Sequence, residues 1–168
     1  MRDDKLSHRA TAICQQPVDV HHVAIPGTPH GNVSWSHDLG KWLIRIDPTK
    51  ATGDDYTFLH ECGHIATKTV AGPAHHEKNL VVFGKASPET HHKNEASACA
   101  WVAENAANYA TGDYMAVARK AAAYVAYHGA LSMGAKGQAL RQQIADLDRR
   151  LAELESQMPP QRRRRVYR

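Results

Sequence analysis

The sequence predicts an α+β domain: a small β-sheet packed on a helix that contains HECGH and on a second helix carrying an inward-facing glutamate, followed by an Ala-rich helix and a C-terminal coiled-coil-like helix. Three observations predict it. In "KWLIRID", Trp42, Ile44 and Ile46 alternate with Lys41, Leu43 and Arg45, the period of a strand with one face on a core. In residues 54–73, "DDYTFLHECGHIATKTVAGP", Phe58, Cys62, Ile65 and Thr69 recur at the 3/4 spacing of a helix. Two Ala-rich runs then open on Ser87-Pro88 and on Asp113, residues that cap helices.

Taken in order, residues 1–30 are mixed in character, with "SHRATAICQQ" able to form a short helix before Pro17. "NVSWS" and "KWLIRI" are β-prone and flank the turn residues of "HDLG"; Pro48 ends the second strand. Asp54 or Asp55 caps the HECGH helix, and Gly72-Pro73 is the expected stop. "NLVVFG" is a short strand candidate. The helix from Ser87 is expected to close at Thr111-Gly112, and the next begins at Asp113. From Leu140, the residues Ile144, Leu147, Leu151, Leu154 and Met158 follow at spacings of 4, 3, 4, 3 and 4, a short a/d seam that Pro159-Pro160 terminates.

This divides the 168 residues into a core domain over 1–134, a heptad helix over 135–158 and a basic tail over 159–168 that is expected to be disordered. Nine Lys/Arg against four Asp/Glu from Lys136 onward leave the first 135 residues at a net charge of −1, so the pI reflects the tail. A nucleic-acid role for the whole chain cannot rest on it. Cys14, Cys62 and Cys99 make an odd count with no CxxC pair, which argues against a disulfide framework. With no secretory-type apolar stretch near the start and no run of 18 apolar residues, a cytoplasmic protein without membrane contact is expected.

His60 and His64 lie four apart, on one helix face, and can aim imidazole nitrogens at one ion. Glu61 sits about 100° further round, poorly placed as a ligand but able to reach a water on that ion as general base. With twelve histidines and seven glutamates in 168 positions, HExxH would arise by chance in roughly 3–4% of shuffled sequences. Its placement in phase on a capped helix with an apolar face lowers that figure. A catalytic zinc takes three protein ligands. The natural third is Glu95 in "HHKNEASACAWVAENAANYA", since Ala98, Cys99 and Val102 leave it at the end of a small apolar face where an unpaired carboxylate would be costly. The bland alternative is a solvent-facing glutamate near a helix start.

At these residues the chain resembles the ImmA/IrrE-type metallopeptidases. "PVDV" at Pro17–Val20, "KWLIRIDP", "FLHECGH" at Phe58–His64 and "NEASACA" at Asn94–Ala100 fall in that family's order, over about residues 10 to 110. The resemblance implies a minimal gluzincin with one zinc per chain, His60, His64 and Glu95 as ligands and Glu61 as general base. It also implies a dedicated protein or peptide substrate such as a transcriptional repressor. Two departures, Cys99 in place of the family's usual aromatic and "AENAANY" in place of its "LLMP"-like continuation, imply a remodelled cleft.

Other residues admit competing roles. His91 precedes Glu95 by four and is a candidate extra ligand or transition-state donor; Tyr109, Tyr114 and His128 are further donor candidates. The Leu140–Leu154 seam would serve self-association as a homodimer or packing on its own domain, and Arg162–Arg165 a weak nucleic acid contact. A different class of function also fits the residues: a non-catalytic binding or adaptor protein, stabilised by metal and working through its coiled coil and tail. Its site would be closed by a fourth protein ligand.

Overall fold

A computed structural model describes residues 1–27, 29–50, 55–70, 72 and 87–134, together with Gln142, Asp146, Arg149 and Arg150. The "NLVVFG" strand candidate, the His75-His76 pair, the hydrophobic positions of the Leu140–Leu154 seam and the 159–168 tail lie outside the described residues.

The chain is α+β, as the sequence predicts: α1 (Asp4–Cys14), β1 (Val18–His22), β2 (Gly31–Ser36), β3 (Lys41–Ile46), α2 (Tyr56–Ala66), α3 (Pro88–Tyr109) and α4 (Tyr114–Ser132). The strands form one sheet in the order β1-β3-β2, with β3 central, parallel to β1 and antiparallel to β2. The alternation in β3 is realised residue by residue. Trp42, Ile44 and Ile46 are buried while Lys41, Leu43 and Arg45 are half-buried. β1 joins the sheet although Asp19 interrupts its apolar pattern. Arg2 and Lys41 hold the Asp19 carboxylate at 3.3 and 3.1 Å, which neutralises it at the sheet surface.

Past β3, the Asp47 carboxylate accepts from the backbone N–H of Ile25 and Thr49 and from the Thr49 hydroxyl, all within 2.9 Å. Those bonds, the Ile25 amide first, hold its carboxyl well below the usual range. They also tie the loop after β1 to the end of β3.

Helix α2 lies over the sheet with Phe58, Leu59, Cys62 and Ile65 in the core beside Val20 and Ile44. Almost every residue from Tyr56 to Ile65 is buried, so α2 is an internal helix. It stops at Ala66, six residues before the Gly72-Pro73 terminus that sequence punctuation suggests. The earlier stop is local: the Thr67 hydroxyl bonds back to the Gly63 carbonyl at 2.7 Å, and Lys68 adopts a left-handed φ of 56°. Thr69 therefore leaves the helix and does not extend its apolar face.

Helices α3 and α4 begin as their sequences direct. Ser87 caps α3 through Thr90 N, with Pro88 in the first turn, and Asp113 caps α4 through Ala116 N. A turn at 110–113 joins them; α3 ends at Tyr109, just short of Thr111-Gly112. The two pack through small residues, Ala106, Val117 and Ala121 being buried. None of the described helices is long and apolar enough to cross a membrane.

Asp55 stands at the N-cap of α2 but makes no capping bond. Its carboxylate instead accepts from Arg9 of α1 at 2.8 Å and from the Thr111 hydroxyl at 2.7 Å, as well as from the Thr111 amide. Arg9 also bonds the Tyr109 carbonyl and lies 4.7 Å over the Phe58 ring. Burial alone would raise the Asp55 pKa; the bonds from Arg9 and Thr111 outweigh it and the pKa is lowered from 3.8. A carboxylate held lower in the folded chain contributes stability above the unfolded value and loses it as pH falls through the folded one. Replacing Asp55 by Asn should therefore cost about 2 kcal/mol at pH 7. The gap between variant and parent in urea melts should close progressively as pH falls below 3.8.

Candidate metal centre

The second and third turns of α2 and the second turn of α3 bring three side chains together. His60 Nε2 lies 3.1 Å from Glu95 Oε2, His64 Nε2 lies 3.4 Å from Glu95 Oε1, and the two Nε2 atoms are 3.2 Å apart. The three sequence candidates thus converge, within 4.8 Å of one another, and form the group of described His, Cys, Asp and Glu residues able to share a metal ion. Their side chains keep 13%, 8% and 20% of their exposure, so the cluster is recessed yet open on one side.

The donor set fits a tetrahedral ion. Zinc–nitrogen bonds of about 2.0–2.1 Å at tetrahedral angles place neighbouring donors about 3.3–3.4 Å apart. The two Nε2 atoms, 3.2 Å apart, match that spacing, while the two carboxylate oxygens of Glu95 each face a different imidazole, at 3.1 and 3.4 Å. Charge points the same way. Burial disfavours an imidazolium at His60, yet Cys99 and Glu95 as hydrogen-bond partners outweigh it and push the pKa up to about 10. Burial likewise works against the Glu95 carboxylate, but the two imidazoles hold it well below its usual range. A desolvated carboxylate with two imidazoles is a place where positive charge is favourable, as a proton or as a bound cation.

Local structure explains the positioning. An ideal Cβ on Gly63 would lie 2.8 Å from the Ala98 carbonyl oxygen and 3.3 Å from the Trp101 ring, so only glycine lets α3 come this close beside His64. Behind the ligand nitrogens stands a second layer. His64 Nδ1 pairs with the Thr69 hydroxyl at 2.7 Å, and His60 Nδ1 lies 3.6 Å from Cys99 Sγ. Cys99 in turn exchanges a hydrogen bond with Tyr56 at 3.3 Å, and the Tyr56 ring stacks on His60 at 5.7 Å. Such partners fix an imidazole's tautomer and plane.

Sequence reasoning missed this layer. Tyr56 at His60−4 and Cys99 at Glu95+4 share faces with the ligands, a signal that was available. Thr69 gave none, because its role depends on α2 ending early.

Glu61 is buried at 5% exposure, with burial raising its pKa against the pull of His60 and His64. Among the described residues it makes no hydrogen bond or ion pair. Its Oε1 packs against the start of β2, 2.9 Å from where a Cβ of Gly31 would sit.

His91 stands outside the triad, 60% exposed, with Nδ1 3.8 Å from Glu95 Oε1. Of the proposed donors, Tyr109 stacks on Trp101 at 5.8 Å and Tyr114 is 47% exposed. His128 counts Glu95 and His60 among its charged neighbours. Cys62 is fully buried with Cys14 as its neighbour.

The fold and geometry together define a class of site: two histidines from one internal helix and a carboxylate from the next, converging on one point, with a second buried carboxylate alongside. No family model, curated protein or solved structure matches the chain.

Two substitutions probe the supports. Thr69→Val should weaken zinc affinity about tenfold in competition with a chromophoric chelator, with the fold intact by circular dichroism. Gly63→Ala gains about 1 kcal/mol of helix propensity but drives a methyl into a backbone carbonyl. A net loss of about 1–2 kcal/mol in denaturant melts should result, together with weaker zinc binding as Glu95 moves with α3.

Proposed function

We propose that the chain is a small zinc-dependent endopeptidase of the gluzincin kind, akin to the ImmA/IrrE-type enzymes it resembles. The supporting observation is Glu61: a buried carboxylate with no partner among the described residues, on the turn that carries two of three convergent donors. An ionisable group in that position is costly unless it has a task.

His60, His64 and Glu95 would hold the ion. When bound, zinc supplies a Lewis acid for the scissile carbonyl and a water of lowered pKa. Glu61 accepts the proton of the attacking water at its carboxylate and passes it to the leaving amine. Burial raises its pKa above the ordinary glutamate value, which favours a group that must hold a proton between taking and giving it. Thr69 and Cys99 keep the imidazole planes fixed, and the recessed position limits competing solvent.

The substrate in this reading is one dedicated protein partner, such as a transcriptional repressor, by the same resemblance. The adaptor alternative calls for a fourth protein ligand. Among the described residues the cluster has three, and His91, the nearest candidate, is largely solvent-exposed.

Mass spectrometry should find about one zinc per chain tightly retained, lost in Glu95→Ala and kept in Glu61→Gln. Zinc-loaded protein incubated with a peptide library should cut it at a rate that Glu61→Gln lowers about 10²–10⁴-fold. Equal cleavage by Glu61→Gln and the parent would overturn the reading.

A further inference from the structure

Beyond the triad, the facing sides of α3 and α4 carry a second set of imidazoles. His92 Nδ1 and His128 Nδ1 lie 3.1 Å apart, across residues separated by 36 positions in the chain. Other rings flank the pair. His128 stacks on Tyr124 at 6.1 Å and meets Tyr127 edge-on at 5.1 Å, while His92 lies 5.3 Å from the His91 ring. Both histidines are half-buried, so solvent reaches the space between them.

Two neutral imidazoles each present one N–H and one lone pair. With both Nδ1 atoms turned inward, the pair is satisfied in one of two ways: one Nδ1–H donates to the lone pair of the other, or both lone pairs hold a metal ion. The 3.1 Å separation is close to the roughly 3.3 Å edge of a tetrahedral two-nitrogen site. The charges around the pair are mixed: burial and the His60 and His91 imidazoles work against a proton on His128, while two carboxylates stand near. Glu89 lies three residues before His92 and is its charged neighbour, and Glu95 is a charged neighbour of His128.

We propose that His92 and His128 form a second, weaker transition-metal site, binding zinc or a similar borderline ion through their Nδ1 atoms with water completing the coordination. It uses none of the ligands of the His60–His64–Glu95 triad. Imidazole pairs suit zinc, copper and nickel, whereas magnesium and calcium prefer oxygen donors. Because one ligand comes from each helix, the ion would clamp the end of α4 to the start of α3. Occupancy would then follow the ambient metal level, and the tighter triad would fill first.

Zinc titrations by calorimetry would compare the parent, Glu95→Ala and the double variant H92A/H128A, each full-length and stripped of metal. The parent should show a tight event followed by a weaker one. Glu95→Ala should lose the tight event and keep the weak one, with added zinc raising its melting temperature. H92A/H128A should keep the tight event and lose the weak one, by at least a tenfold drop in its affinity. If H92A/H128A titrates as the parent does, the two rings merely share a proton and the second site is overturned. If instead Glu95→Ala titrates as the parent does, the triad reading fails while the second site stands or falls on the double variant alone. His92→Ala by itself, which leaves the Tyr124–His128–Tyr127 stack in place, checks that any loss is not unfolding.

Discussion

Residue 63 carries no side chain because there is no room for one. At the point where α2 and α3 cross, the Ala98 carbonyl occupies the space that a Cβ would need. That approach sets the distance between the helices, and the distance determines whether Glu95 can reach two imidazoles on the other helix. A methyl group at the crossing would separate donors whose mutual spacing is fixed to a few tenths of an ångström. The buried alanine and cysteine on α3, Ala98 and Cys99, serve the same end. Small volume on one face of a helix here becomes precision at a polar cluster, the reverse of the usual link between large side chains and rigidity.

The cluster also shows how a core tolerates charge. Two imidazoles and a carboxylate stand recessed at the end of an apolar interface, each satisfied by another. Every outer partner, whether Thr69, Cys99 or Tyr56, is short or rigid, so little side-chain entropy is lost in holding the arrangement. Glu61 is the exception, buried without such support. Three mutually supported groups thus stand beside one carboxylate that lacks such partners, so the two sides of the site differ in kind.

Much of this was legible in the sequence. The β3 alternation, the caps at Ser87 and Asp113 and the common face of His60 and His64 follow from local periodicity, which fixes what shares a face; Glu95 as their partner was implied by the resemblance, not by any period. What escaped is what periodicity does not encode. β1 contains a central aspartate that only ion pairs from Arg2 and Lys41 make compatible with a sheet. The end of α2 is set by a side-chain bond from Thr67 and a left-handed Lys68, six residues before the Gly-Pro signal. Asp55 looked like a cap and is a tertiary anchor. The meeting of His92 with His128 depends on the turn at 110–113 folding α4 back along α3, and no single helix reveals it.

The Asp55 anchor has a consequence for the order in which the molecule can be completed. Its carboxylate joins α1 to the turn after α3, and Arg9 reaches the Tyr109 carbonyl across 100 residues of chain. A polypeptide leaving the ribosome N-terminus first can pair β2 with β3 early, since those contacts are local. It cannot close this clasp until residue 111 has emerged. Until then α2, apolar on nearly all sides, has the sheet and α1 to cover it, and the flank that α3 packs on stays open to whatever binds nascent apolar helices. The buried helix that carries both histidines thus stays incompletely enclosed until the end of α3 has emerged, and the length of chain it must wait for is set by the position of a single threonine.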